Sequence, residues 1–269
     1  PFYTLGIAED TSALRAGVFD LPEFLAQSRL VLRDEQRVLR DLLRRYAGGL
    51  LFFYFSAVDQ NSHILWGKYD TELLRFYAAV DASIGEVMRS HPEAELVVMS
   101  DHGFSTFRRA VNLNTWLLQQ GLLTRDATGG IDWTNTKAYA MGLNALYLSG
   151  ADREDLRRRL LSWRDPENGQ PVIESLRDVH AAPENRSIAP DLIVGYRPGY
   201  RASWETGLGE VPDTALEDNT GPWIADHCID ASEVPGVLFL SKPAANPPSS
   251  LKDLSHWLVQ RLGPGKTVS

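Results

Sequence analysis

Five residues of this sequence have the types and spacing of a metal-binding set. Asp59 and His63 follow an apolar run in LLFFYFSAVDQNSH, and Asp101 and His102 end a second run in ELVVMSDHGF. His227 stands in DNTGPWIADHCID, shortly before a third apolar run, VLFLS. A carboxylate and an imidazole held together suit zinc, manganese or iron. The spacing of Asp59 and His63 puts both side chains on one side of a helical turn. Asp101 and His102 are adjacent and would point to opposite faces of a strand, so they converge only if the chain turns, which Gly103 permits. Each unit also has a plainer reading by itself. Asp59 can cap a turn beside an ordinary polar His63, Asp101–His102 can be a turn with an exposed histidine, and His227 can lack a metal role. Two Asp/His units at the ends of successive buried strands are much harder to obtain by chance. Asp226 either orients His227 or is itself a ligand, and Cys228 reads as a small core residue. His91, before a proline at a helix end, reads as structural, as do His180 and His256.

The elements around these residues must place them. Residues 50–57 are apolar at nearly every position, the pattern of a strand buried on both faces of a parallel sheet. Before it come a short helix start at 22–27 and an amphipathic helix over 30–46, with Leu32, Gln36, Leu39, Leu42 and Leu43 at helical spacing and Gly48–Gly49 as its stop. A long helix over 69–89 carries Leu73, Val80, Ile84 and Val87 on one face, and a strand over 96–100 follows it. This alternation favours an α/β sheet, in which ligand sites form outside the carboxyl ends of the strands. Asp59 and Asp101 sit at such ends. Further on, the sequence predicts a short helix at 112–120, a strand at 145–148, an Arg-rich helix at 152–163, and the start of a strand at 171–173. A buried strand at 191–196, a loop rich in Gly, Pro and Trp at 199–222, a strand at 237–241 and a closing helix at 251–262 complete the chain. Residues 1–21 read as loop, with Gly6 and Gly17 as breakers. In YRPGYRASWETG, Arg197 and Arg201 stand among Tyr196, Tyr200 and Trp204. They are either a phosphate clamp beside a stacking platform or part of a surface loop packed on the domain edge. Arg157, Arg158 and Arg159 read as a solvated helix face.

Composition narrows the partners. The chain has 269 residues, 43% of them apolar, enough for one large domain or a domain with an insertion. Its formal charge of −8 argues against a nucleic-acid polymer or an anionic membrane surface as partner, while leaving room for a local basic pocket. A single cysteine, Cys228, excludes an internal disulfide and an all-thiolate zinc site. No apolar run approaches the ~18 residues of a membrane span, and the first residues lack the basic start and apolar core of a signal peptide.

Together, PFYTLGIAEDTSAL, VDQNSH, SDHGF, APDLIVGY and ADHCID resemble the alkaline phosphatase superfamily, and within it the type I phosphodiesterase/nucleotide pyrophosphatase branch. SDHG with an upstream D-x-x-x-H and a downstream DH is a fairly specific combination. The resemblance implies a three-layer αβα sandwich around a largely parallel sheet, with an inserted α+β segment at about 111–190. It implies two divalent metal ions, zinc first and manganese or iron as alternatives. Asp59, His63 and His227 would hold one, and Asp101 and His102 would contribute to the other. It implies a metal-dependent hydrolase acting on a small phosphate-ester or nucleotide-like substrate, with Arg197 and Arg201 as candidate substrate contacts. In the family an N-terminal strand adds another Asp and a Thr or Ser nucleophile. No matching strand precedes residue 50, and Ser100, Ser105 and Thr106 do not sit where that nucleophile would. The chain therefore resembles the C-terminal part of the catalytic domain. Other readings are a phosphomonoesterase, sulfatase or phosphoglycerate mutase of the same superfamily, or a non-enzymatic remnant that binds a metal or a partner.

Overall fold

The computed structural model describes residues 8–263. Its helices are α1 (Thr11–Arg15), α2 (Leu21–Arg45), α3 (Ser56–Leu65), α4 (Asp70–Ser90), α5 (Leu113–Gln119), α6 (Arg153–Ser162), α7 (Trp204–Leu208) and α8 (Leu251–Leu262). Its strands are β1 (Val97–Met99), β2 (Ser105–Val111), β3 (Ala138–Met141), β4 (Ala145–Leu148), β5 (Ile173–Asp178), β6 (Leu192–Tyr196), β7 (Gly199–Ala202), β8 (Leu216–Asp218), β9 (Ala225–Asp226) and β10 (Leu238–Leu240). The mixture is α/β, and it divides into two compact units. Unit 1 takes the chain up to His102 and again from Gly236, and unit 2 is Gly103–Pro235. Unit 2 is wider at both ends than the 111–190 segment expected from the sequence.

In unit 1, α2 begins with a reciprocal cap. The Asp20 carboxylate accepts from the Glu23 N–H, and the Glu23 carboxylate accepts from the Asp20 N–H. Its buried face, Phe24, Leu25, Val31, Leu32, Leu39 and Leu43, runs through both helical segments suggested by the sequence. Gln27, Ser28 and Arg29 contain no breaker, so 22–27 and 30–46 fuse into one helix. α4 lies along α2, where Gln36 Nε2 donates to Ala79 O at 3.0 Å and to Ser83 Oγ at 3.1 Å. Gly6 lies outside the described residues, and Asp10 caps α1 inside the stretch expected to be loop.

Two expectations for the sheet are not met among the described residues. The strand predicted at 50–57 is cut short by α3, which begins at Ser56, and no ladder among the described residues includes 51–55. These residues keep a strand's alternation, since Phe52 and Tyr54 are 75% and 60% exposed while Leu51, Phe53 and Phe55 are half-buried. A strand requires a neighbour's N–H and C=O groups, and the described chain supplies none here. The described strands also pair mostly antiparallel: among the described residues, β2–β7 is the one parallel pairing. In unit 1, β1 pairs antiparallel with β10. Ser100 N donates to Val237 O, and Val237 N to Ser100 Oγ, both at 3.0 Å.

Unit 2 is built on the antiparallel order β3–β4–β6–β5 and on β2, which pairs with β7, β8 and β9. Its core includes Leu113, Trp116 and Leu117 of α5, Leu156 and Leu160 of α6, and Leu146 of β4. Trp116 stacks on Trp163 with ring centroids 5.3 Å apart. The stretch at 199–222, read from its Gly and Pro content as loop, carries β7, α7 and β8. Ser203 caps α7 by accepting from Thr206 N, and Gly209 ends it in the left-handed conformation at φ 79°. At the unit's boundary, Gly103 N donates to Val234 O at 2.9 Å.

Candidate metal centre

Unit 1 brings four of the five predicted ligands together. α3 places Asp59 in its first turn and His63 one turn later, where burial leaves the imidazole side chain 4% exposed. His102 follows β1 and folds back toward α3. Asp59 Oδ1 stands 3.9 Å from His63 Nε2 and 3.8 Å from His102 Nε2, and Asp101 Oδ1 is 3.5 Å from His102 Nε2. The Asp59 separations exceed a hydrogen bond. Two ligand atoms on one tetrahedral ion with bonds of ~2.0 Å lie about 3.3 Å apart, so a small contraction would bring Asp59 and His63 to the spacing of two ligands on one ion, and Asp101 and His102 are nearly there. The other Asp59 oxygen, Oδ2, accepts from Gln60 Nε2 at 2.8 Å, which turns Oδ1 toward the histidines. Gln60 is buried and was not singled out by sequence reasoning; its position beside Asp59 on α3 is the only signal it carries.

The surroundings are acidic. Ser56 Oγ donates to Glu35 Oε1 at 2.8 Å and to Glu9 Oε1 at 3.2 Å, and Ser56 N also donates to Glu35 Oε1. Burial, reinforced by the Glu35 and Asp59 charges, pushes the Glu9 carboxyl up to about 7, and burial raises Glu35 as well. Partial burial, together with the negative charges of Asp59, Asp101, Glu35 and Glu9, pushes the Tyr54 phenol up to about 12. Neither Glu9 nor Glu35 is singled out by its local sequence, and their shared contact with Ser56 at the start of α3 reveals them.

His227 is carried by unit 2. It follows β9, which pairs with the start of β2, and the Phe104 ring meets its imidazole edge-on with centroids 5.5 Å apart. Cys228 Sγ is 3.9 Å from His227 Nδ1. Asp226 Oδ1 accepts from the backbone N–H of His227 and Cys228 at 2.8 and 2.9 Å. Arg201, expected as a substrate contact, is 2% exposed and directs its guanidinium into the unit, donating from Nε to Asp226 Oδ2 at 2.5 Å and from Nη1 to Ala202 O at 2.7 Å. Arg197 remains half-exposed, paired with Glu174 at 3.2 Å, and lines a cleft of about 180 Å³ with Arg108, Arg109, Asn168 and Tyr200. Arg157 and Arg159 reach inward to Leu176 O and Gln120 O, while Arg158 stays on the surface with Asp155.

The sequence profile of type I phosphodiesterase / nucleotide pyrophosphatase matches residues 15–218, most of the chain. The chain belongs to this family. As a type I phosphodiesterase / nucleotide pyrophosphatase family member it falls within the alkaline phosphatase superfamily, among hydrolases of phosphoric esters. The matched stretch contains Asp59, His63, Asp101 and His102 and stops before His227. No curated protein and no solved structure matches the chain. The donor set of unit 1, two imidazoles and two carboxylates in acidic surroundings, fits the divalent ions typical of the family. No helix among the described residues is long and apolar enough to cross a membrane.

Proposed function

We propose that this family member hydrolyses phosphate esters of the phosphodiester or nucleotide pyrophosphate type at a two-metal site. Asp59, His63 and His227 hold the first ion, and Asp101 and His102 contribute to the second, with zinc the first candidate and manganese or iron the alternatives. The observation that carries the reading is the approach of both the His63 and His102 Nε2 atoms to a single oxygen of Asp59. When bound, such ions lower the pKa of an attacking oxygen and stabilise charge on the transferring phosphoryl group. The chain's own residues supply the frame: Gln60 fixes Asp59, and α3 keeps His63 one turn from it. Arg197 is the candidate contact to a substrate phosphate.

The nucleophile belongs to the same proposal. A Thr or Ser on a segment upstream would attack phosphorus, expelling one ester alcohol from a phosphodiester or a phosphate from a pyrophosphate, and water would then hydrolyse the phospho-enzyme. The exposed, alternating Phe52 and Tyr54 support an added strand beside 51–55, and with it the three-layer αβα sandwich and its largely parallel sheet. In this reading the chain is one catalytic domain lacking its N-terminal portion, and unit 2 is its insertion.

The test joins metal analysis to hydrolysis of a bis-aryl phosphate, by this chain and by a form extended upstream. Two equivalents of metal and turnover by the extended form are expected, and Asp101→Ala should lower turnover at least ~100-fold, more than loss of an outer-shell partner costs. Turnover unaffected by Asp101→Ala, or no stoichiometric metal in either form, refutes the proposal. Preference for a sulfate ester or a phosphomonoester would move the assignment to another branch of the superfamily.

A further inference from the structure

We infer that Arg201 and Asp226 form a buried clamp that fixes the direction of the His227 imidazole, which makes Arg201 a positioning residue for a metal ligand. The inference rests on the proposed role of His227 in metal binding. Both charged side chains are almost wholly buried, at 2% and 1% exposure. A buried ion pair is costly unless hydrogen bonds saturate it, and apolar residues of similar volume often serve stability as well. Here the saturation is directional. Asp226 Oδ2 accepts from Arg201 Nε at 2.5 Å and from Trp223 Nε1 at 2.8 Å, which anchors the carboxylate to the body of unit 2. Its other oxygen faces the loop and accepts the two N–H groups at His227 and Cys228.

The anchor is itself immobilised. Trp204 lies over the Arg201 guanidinium at 4.1 Å and Phe107 at 5.6 Å, and Trp223 meets Trp204 edge-on. Arg201 is on β7 and Asp226 on β9, and both strands pair with β2. One carboxylate thus ties the backbone of the candidate ligand to the strand core, while Phe104 restricts the imidazole from the side. Outer-shell contacts of this kind set ligand orientation, and their loss typically lowers metal affinity ~10–100-fold.

The test measures zinc affinity by competition with a chromophoric chelator, alongside thermal unfolding of the metal-free full chain. The variants are His227→Ala, Asp226→Asn, Arg201→Gln and Arg201→Lys. Asp226→Asn and Arg201→Gln are expected to weaken, by about 10–100-fold, the same ion that His227→Ala weakens, leaving the other ion unchanged. Arg201→Lys should recover part of the loss, a rescue that a purely space-filling role would not give. If His227→Ala weakens zinc binding but folded Asp226→Asn does not, the clamp is refuted and the metal assignment stands. If His227→Ala itself has no effect, the ligand assignment fails and the clamp falls with it. Should Arg201→Gln not fold, Trp204→Phe trims only the ring over the guanidinium; a smaller loss at the same ion is expected, and an unchanged affinity there overturns the inference.

Discussion

Replacing Glu9 by Gln should change the pH dependence of stability in a calculable way. Glu9 is 2% exposed, hydrogen-bonded to Ser56 and close to the Glu35 carboxylate, and its carboxyl is pushed from 4.5 up to about 7. Above pH 4.5 the unfolded chain releases this proton, while the folded protein keeps it until about pH 7. The folded state therefore binds more protons in that window, so the stability contributed by Glu9 falls as pH rises through it and is constant above it. At 1.36 kcal/mol per pH unit the full loss is about 3 kcal/mol, and burial leaves little solvent screening to reduce it. The amide introduced by Glu9→Gln has no charge to bury and still accepts from Ser56 Oγ. In urea unfolding with a chelator present, the variant should match the parent within ~0.5 kcal/mol near pH 4.5 and exceed it by up to about 3 kcal/mol at pH 8, with unchanged m. A difference that does not vary with pH, or a parent more stable than the variant at pH 8, refutes the reasoning. Zinc in place of the chelator should shrink the gap, because a cation on Asp59 cancels one of the charges that raises Glu9.

Gln60→Ala removes the bond that turns Asp59 Oδ1 toward His63 and His102, and zinc affinity should fall ~10–100-fold while the apo-protein melts within a few degrees of the parent; an unchanged zinc isotherm counts against that role. Gly236→Ala would set a Cβ 2.3 Å from Ser100 O and 3.0 Å from Asp101 C. These are backbone atoms that cannot rotate away, so a loss of about 1–3 kcal/mol is expected, and a melting temperature equal to the parent's would show that β1 and β10 shift freely.

The candidate ligands in unit 1 stand out in the sequence because two local patterns, D-x-x-x-H and D-H-G, each follow an apolar run that ends in a turn. The long helices were legible for a similar reason: α4 and α8 have clear apolar faces and stops, and α2 departs from expectation only in being continuous. What the sequence concealed depends on contacts distant along the chain. The run before Asp59 has the composition of a buried strand, yet 51–55 finds no ladder partner among the described residues and Ser56 turns into α3. The Gly, Pro and Trp content of 199–222 suggested loop, but β2 supplies a ladder for both β7 and β8. Arg201 looked like an exposed cation in an aromatic loop, and nothing local indicated that Asp226 would be its partner within the unit's interior.

The pairing of β1 with β10 also sets an order of events. During synthesis α1–α4 and β1 emerge before unit 2, but the partner of β1 lies beyond the whole of it. If unit 2 were still unfolded, joining Val97–Met99 to Leu238–Leu240 would require closing a loop that long, at an entropic cost that rises with its length. Once unit 2 has folded, the Gly103–Val234 bond holds its two ends side by side, and the remaining closure is short. The compact Gly103–Pro235 unit thus brings β1 within reach of β10, and the part of unit 1 that precedes it in the chain is completed after it.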